Sequence, residues 1–254
     1  MKKLFVYLLI CGLGHMAYAE TNTKPEDNTE PKAKLAPMKI RKRAARPDVP
    51  GSLLIDIGWN IMMDDPKSFE TDLIGSRTIN FYYYYDMPIG KSNFVLMPGI
   101  GVSLNKFKFD NDVTLVQVTD TDGNTAVTIE NLNANWDIKK SQLAANYIDI
   151  PLEIRFYANP DDKKRSFNVS LGGRAGFRFS SYTKVKYKDD DENMKTKLKK
   201  EYGLDRFRYG LTGRIGIGGF NVFSYYGLSE IFDNGPENTN EMTNMTVGIS
   251  FTGF

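Results

Sequence analysis

Cysteine and histidine are almost absent from this chain. The single cysteine, Cys11, and the single histidine, His15, both fall in a segment with the three parts of an export signal. These parts are the basic residues Lys2 and Lys3, an apolar run over 4–13 and a small-x-small cleavage site at 17–19. We predict a signal peptide over 1–19, so the mature chain contains neither residue. It therefore lacks the side chain that small hydrolases most often recruit as general base, and it cannot form a disulfide.

A lipoprotein signal, with Cys11 as the lipid-bearing residue, is the alternative interpretation of this segment. Ile10 precedes the cysteine where a small residue is expected, and the apolar run before it is short. These two features favour cleavage after Ala19.

The mature chain also has no excess charge and no long apolar run. Loss of Lys2 and Lys3 lowers the basic count from 33 to 31, which equals the 31 acidic residues, so no net positive charge favours nucleic acid. No later apolar run approaches the roughly 18 residues of a transmembrane helix. A membrane span would have to consist of strands, which satisfy their backbone in lipid only when the sheet closes into a barrel.

Residues 20–50 are rich in Lys, Glu, Asn, Thr and Pro, and we predict a disordered periplasmic tail there. The tail carries a basic cluster with two open interpretations, a contact for an acidic partner or anionic headgroups, and a solvated linker. The cluster consists of Lys39, Arg41, Lys42, Arg43 and Arg46.

From residue 51 to 254 the apolar residues alternate with polar ones, which is typical of strands with two different faces. The clearest strand is 143–157, where charges occupy one face only. The segment 220–231 is aromatic on both faces, so its orientation stays open. The eight predicted strands are 52–63, 72–86, 93–109, 143–157, 167–182, 204–218, 220–231 and 242–254.

The connections between these strands alternate in length, as in outer-membrane barrels with long external loops and short periplasmic turns. The long connections are 110–142 and a charged loop over 183–203, and the short ones include 87–92 and Gly218–Gly219. With an even number of strands, both termini would be periplasmic. The predicted fold is all-β, an eight-stranded antiparallel transmembrane β-barrel.

A soluble barrel of lipocalin type would place the apolar face inside, and periodicity alone does not decide between the two. The polar face holds charges of both signs interleaved with glycine, which suits a narrow lumen filled by ion pairs. The apolar face holds almost nothing polar over the length that spans a bilayer. The membrane version is favoured, with a lumen network of Asp56, Asp149, Glu153, Arg155, Arg174, Arg178, Arg208 and Arg214.

The segment 146–157, Asn-Tyr-Ile-Asp-Ile-Pro-Leu-Glu-Ile-Arg-Phe-Tyr, resembles the middle strand of the PorT-like outer-membrane β-barrel family of Bacteroidota. The glycine-rich segment 171–176 and the closing segment 247–251 resemble that family as well, and the resemblance covers about 51–254. One departure is Phe254, which shares its face with polar Thr252 and Ser250. The resemblance implies insertion by the barrel-assembly machinery and, for some relatives, accessory roles in envelope machines such as type IX secretion.

Candidate chemical motifs are weak. The Gly-x-Gly triplets at 99–101 and 216–218 lie within strands and are not nucleotide-binding loops. The segment 120–124 has the wrong glycine spacing for a calcium loop and is predicted to turn a hairpin. The acidic run 189–192 is interpreted as a solvated loop tip, with cation binding as the alternative. No catalytic, cofactor-binding or metal residue is predicted.

Three function classes follow from these observations. The favoured one is a non-catalytic interaction or assembly subunit of a larger envelope complex, in contact with outer-membrane lipid and a protein partner. The second is a ligand-binding or adhesive surface protein that uses the loops 110–142 and 183–203. An outer-membrane enzyme is the least favoured class.

Overall fold

The computed structural model describes residues 51–253 except 65, 67–68, 120–124, 190–191 and 240. The predicted signal peptide, the predicted tail and Phe254 lie outside the described residues. The strands are β1 (Ser52–Met63), β2 (Thr71–Tyr84), β3 (Met87–Pro88), β4 (Phe94–Phe109), β5 (Val113–Thr119), β6 (Thr125–Asn131), β7 (Asp137–Tyr157), β8 (Phe167–Asp189), β9 (Glu192–Leu198), β10 (Phe207–Ile217), β11 (Phe220–Gly227) and β12 (Thr243–Thr252). Among the described residues, no helix has the length and apolar character needed to cross a membrane.

Eight of these strands form a closed antiparallel ring. The order around it is β1, β2, β4, β7, β8, β10, β11 and β12, and the last strand pairs with the first. All eight predicted strands belong to the ring, which confirms the predicted fold class.

The hydrogen-bonded rows run obliquely around the ring. From Asp56, the pairs through β2 and β4 lead to Tyr147 on β7. In the other direction, the pairs through β12, β11, β10 and β8 lead to Tyr157 on the same strand. The end points lie ten residues apart, so the strands tilt, as barrel closure requires. Eight tilted strands enclose a lumen that side chains can fill.

Successive side chains of a strand point to opposite faces, and on each ring strand apolar residues occupy most of the outward positions. The outer face of the ring is therefore apolar. Along β7, outward Ile148, Ile150, Leu152 and Ile154 are each 45–64% exposed, whereas the intervening Asp149 and Glu153 are fully buried. The same alternation orients β11, where Phe220, Val222 and Tyr226 point outward and Phe223 and Tyr225 point into the lumen. The outward apolar side chains form a belt of the kind that faces lipid.

One side of the ring rises beyond the rest. Above Phe177, β8 leaves its partner β10 and pairs with β9 instead. The strands β4, β7, β8 and β9 thus form a four-stranded extension, which we call the tall wall. The prediction of a loop over 183–203 is wrong for most of its length, since β8 continues to Asp189 and β9 follows. Likewise, β7 begins at Asp137, inside the loop predicted over 110–142.

The connections above the ring are long, and we call this end the long-loop end and the opposite one the short-turn end. The hairpin β5–β6, predicted from its alternating residues, pairs Val113 with Asn131 and Thr119 with Thr125, and its turn lies outside the described residues. At the long-loop end a large apolar cluster, the cap core, joins this hairpin to the inner face of the tall wall. It comprises Met62, Phe69, Phe107, Phe109, Val113, Leu115, Val127, Leu143, Ala145, Tyr147, Tyr202, Leu204, Ile231, Phe232 and Met242.

Candidate functional site

The lumen contains all eight charged residues that the alternation assigned to it. None is more than 8% exposed. Seven of them come from the neighbouring strands β7, β8 and β10, and the eighth, Asp56, comes from β1, which is remote from these three in sequence.

Asp149 is the centre of one charged layer. The guanidinium of Arg208 donates to it at 2.8 Å, and Arg174 Nε lies 3.7 Å from the same carboxylate. The Tyr82 hydroxyl donates to the same carboxylate at 2.7 Å, and Ser103 also donates to it. Arg174 in turn donates to the Tyr82 oxygen at 2.5 Å, so the layer is a connected network.

Arg214 is the centre of a second layer and bridges two carboxylates. It donates to Asp56 at 2.7 Å and to Glu153 at 3.0 Å. Glu153 also accepts hydrogen bonds from Tyr84 at 2.7 Å and Ser170 at 2.9 Å. A guanidinium, with its planar fork of donors, can hold two carboxylates at once in this way.

The lumen network has more cations than anions, since its eight members are five arginines and three carboxylates. Aromatic faces compensate part of the difference: Arg174 stacks 3.7 Å from the Tyr225 ring centroid, and Arg208 lies 3.8 Å from that of Tyr147. Arg155 has weaker compensation, because its nearest carboxylate is Glu153 at 3.9 Å and its Nε and Nη2 make no hydrogen bond in the described structure.

Arg178 has a different role from the other lumen arginines. It donates to the backbone carbonyls of Leu204 at 3.0 Å and Asp205 at 3.2 Å, and to Ser181 at 2.8 Å. No described carboxylate pairs with it. Arg178 therefore anchors the connection between β9 and β10 over the long-loop end of the lumen.

Gly176 shows why glycines alternate with charges on the inner face. A Cβ atom at this position would lie 2.2 Å from Asp149 Oδ1 and 3.0 Å from Arg208 Nε. Any larger residue would separate the ion pair or displace it.

The lumen is closed at both ends by apolar side chains. At the long-loop end Phe69, which is fully buried, packs edge-on against Phe109 and Phe232 with ring centroids 5.0 and 5.6 Å away. A smaller cluster closes the short-turn end and consists of Leu54, Tyr82, Tyr84, Val95, Met97 and Tyr157. The barrel is a filled structure rather than an open channel.

Sequence reasoning missed a lysine-rich surface on the outward side of the tall wall. Its residues lie opposite one another in the ladder, as in the row Lys184–Lys197 and the row Lys140–Lys186–Lys195. The signal was present in the alternation of 182–188, which continues the strand pattern through the predicted loop. This surface, the lysine face, consists of Lys106, Lys108, Lys140, Lys184, Lys186, Lys195 and Lys197.

The lysines of this face influence one another electrostatically. Partial burial, together with the positive charges of Lys106, Lys184 and other neighbours, lowers the pKa of Lys140. Burial and the charges of Lys195 and Lys186 likewise lower the pKa of Lys184. Both shifts mean that the protein disfavours the charged form of these side chains.

The remaining candidate motifs do not form a site in the described residues. The segment 120–124 lies outside them, and so do 190–191 of the acidic run, where Asp189 and Glu192 pair across the turn of β8 and β9. In the described part of the chain, no group of His, Cys, Asp or Glu could hold a metal ion. A cleft of about 310 Å³ lies between the β5–β6 hairpin and the segments 201–206 and 233–234.

Comparison with known proteins gives a family and distant structural neighbours. The chain is similar over 81% of its length to the whole of Ail, the attachment invasion locus protein of Yersinia pestis, with 13% identity and a TM-score of 0.36. The same protein in complex with the heparin analogue sucrose octasulfate gives a TM-score of 0.30. A mutant porin of Rh. blastica matches at 10% identity over 80% of the chain and 99% of the porin, with a TM-score of 0.20.

No curated protein matches the sequence. The family model for the outer membrane protein beta-barrel domain matches residues 57–233, which is most of the closed ring. The chain therefore belongs to the outer membrane protein beta-barrel domain family.

Proposed function

We propose that this chain is a non-catalytic interaction protein of the outer membrane. Its working part is the long-loop end, which consists of the tall wall and the cap, meaning the long connections that carry the cap core. The observation that carries the proposal is the filled lumen: buried ion pairs occupy its middle, and the cap core closes its long-loop end. Such an interior leaves the outer surfaces as the places where another molecule can bind.

The cap supports the proposal because it is a built structure rather than a set of loops. Arg178 fixes the backbone at Leu204 and Asp205, and Tyr202 hydrogen-bonds to Thr183 on the tall wall at 2.8 Å. Loops held in place by a rigid scaffold are the usual arrangement for binding surfaces. We place the long-loop end outside the cell and both termini in the periplasm, following the lengths of the connections.

The proposal includes membership of the PorT-like family of outer-membrane β-barrels. The PorT-like pattern of β7 and of the closing strand supports membership of a larger envelope complex, with the barrel-assembly machinery needed only for insertion. A protein partner would then meet the cap, and the basic cluster at 39–46 would be a second, periplasmic contact.

Single cysteines at the two ends provide the test, because the only native cysteine lies in the predicted signal peptide. We choose two exposed positions, Thr128 in β6 and Asp161 in the turn between β7 and β8, and replace each in turn with cysteine. A membrane-impermeant maleimide should label the first on intact cells and the second only after permeabilisation.

In a second experiment, a short crosslinker is attached to the introduced cysteine of each variant to capture a neighbouring protein. We expect one defined protein adduct at position 128 and none at position 161. Adducts only at position 161 would move the contact to the periplasmic end. If neither position gives an adduct and the protein is recovered alone, the interaction function is wrong.

A further inference from the structure

We propose that the lysine face binds phosphate groups of outer-leaflet lipid headgroups, so that the tall wall holds a layer of anionic lipid against the barrel. The proposal rests on the proposed function only for placing the long-loop end in the outer leaflet. It needs no protein partner and concerns a different surface from the cap.

The position of the lysine face is the first argument. Leu104, Lys106 and Lys108 occupy successive outward positions of β4, about 7 Å apart. Leu104 belongs to the apolar belt, and Arg77 of β2 lies beside Lys106 in the ladder. The basic residues therefore begin where the lipid-facing surface ends, which is the level of headgroup phosphates.

The second argument is the electrostatic repulsion between neighbouring lysines of the face. Lys140, Lys184 and Lys186 lie on adjacent strands, and like charges directly opposite each other destabilise a sheet. Gln142 and Ala144 are 2% and 0% exposed although they point outward. The residues opposite them in the ladder are lysines and Tyr182, and lysine stems that lie along the sheet would account for this burial.

The lysine face has few counter-ions of its own. Lys108 donates to Asp72 at 2.6 Å, and Lys197 lies 3.8 Å from the Tyr182 ring centroid. In the described part of the chain, no carboxylate forms an ion pair with the other members. Acidic groups lie at the upper rim instead, where Asp137 pairs with Lys139 and Asp189 lies opposite Glu192 in the ladder.

Protection of a strand edge is a common role of lysine and explains only part of the face. Lys195 and Lys197 lie on β9, whose outer edge is free in the described sheet. Lys106, Lys108 and Lys140 lie on β4 and β7, which are paired on both sides. Interior strands need no such protection, so an external anion is the better explanation for these lysines.

Lipid phosphate is favoured over a soluble polyanion because on β4 the face follows directly on Leu104 of the lipid-facing belt. Its members also span two successive outward positions on β4, β8 and β9, which matches a headgroup layer of finite depth. Lysine is suited to this role as a mobile point charge that binds phosphate without a fixed geometry.

The test compares three neutralised lysines with three matched controls. The K140Q/K184Q/K186Q variant removes the centre of the face, and the K91Q/K163Q/K164Q variant removes the same charge from the short-turn end. Heat-modifiable migration first shows that both variants fold. Each full-length protein, in maltoside micelles, is then titrated with lipid A carrying two phosphates, with its singly phosphorylated form and with heparin, and bound lipid is measured by native mass spectrometry.

We expect the doubly phosphorylated lipid to bind the native protein best. The lysine-face variant should lose affinity by about tenfold to a hundredfold, given the attraction of each lysine to an anionic surface. The control variant should stay close to the native protein. Equal affinity of the two variants would overturn the proposal. Heparin binding that exceeds lipid binding and is lost in the lysine-face variant would identify a soluble polyanion as the occupant and would also overturn it.

Discussion

The lumen and the lysine face are both rich in cations, but they solve the problem of positive charge in opposite ways. In the lumen, Arg208 and Arg214 are buried and each contacts at least one carboxylate within 3.0 Å. On the lysine face, Lys140, Lys184 and Lys186 are at least partly exposed and have no described carboxylate partner. The lumen supplies carboxylates for these arginines from its own strands, whereas we propose that the lysine face takes its anions from outside the protein.

The choice of side chain follows this division. A guanidinium is planar, weakly hydrated and able to share carboxylates, so arginine suits a dry interior. An ammonium is strongly hydrated and mobile, so lysine suits a wet boundary. Three predictions test the contrast, beginning with the largest effect.

Replacement of Arg214 with Ala should be the most damaging change. It leaves Asp56 and Glu153 buried without their shared cation, and we expect a loss of about 5 kcal/mol in the free energy of unfolding. Urea titration in lipid vesicles, with the folded fraction taken from heat-modifiable migration, measures this loss. Arg206→Ala is the matched control, because Arg206 and Glu201 form a pair with side chains 66% and 63% exposed; it should cost less than about 1 kcal/mol. Equal losses would show that the lumen network does not stabilise the barrel.

Replacement of Phe69 with Ala should loosen the cap and leave the ring intact. The change removes a fully buried ring between Phe109 and Phe232, which typically costs about 3 kcal/mol. We expect new protease cleavage within 228–242 while heat-modifiable migration is retained. Phe220→Ala, which removes a lipid-facing ring of the same size, should leave the protease pattern unchanged. Loss of the folded band in the Phe69 variant would show that cap and ring unfold together.

The smallest effect is expected in the chemistry of the lysine face. A lowered pKa gives Lys140 and Lys184 a larger neutral fraction at pH 8 than an ordinary lysine has, and only the neutral amine reacts with an amine-specific reagent. Both residues should therefore be modified faster than Lys91 and Lys164, and their rates should approach those of the controls as the pH rises toward 10.5. Bound lipid phosphate would oppose the shift and slow the reaction. Peptide mass spectrometry after timed labelling measures the four rates, and slower modification of Lys184 in the free protein would contradict the prediction.

The ring was predictable from the sequence because a barrel wall separates two environments residue by residue. Asp149 and Glu153 alternate with isoleucine and leucine. The charged residues therefore share one face of the strand, which points into the lumen, and the apolar residues share the face that points outward. The orientation of 220–227 was not predictable, because both of its faces carry aromatic rings. Phe223 and Tyr225 point inward, where Arg174 stacks on Tyr225 and Arg214 lies 5.3 Å from the Phe223 ring centroid.

The tall wall was missed for a different reason. Charge and polar composition over 183–203 favoured a solvated loop, although Val185 and Tyr187 alternate with Lys184 and Lys186. This strand is stabilised by the cap core on its inner side, which includes Tyr202 and residues of the β5–β6 hairpin. The hairpin is remote from the strand in sequence. Local periodicity indicates a strand, but whether it persists above a membrane depends on such long-range contacts.

The path of the lumen network through the chain has a consequence for biogenesis. Arg214 on β10 joins Asp56 on β1 and Glu153 on β7, and it also donates to Ser250 on β12 at 2.9 Å. The contacts with Asp56 and Ser250 join strands from the beginning and the end of the domain, so this part of the network is complete only once β1 and β12 have paired. Until then the charges need water, because an unpaired ion in hydrocarbon is costly. We therefore expect Asp56 and Arg214 to stay hydrated until β1 and β12 have paired.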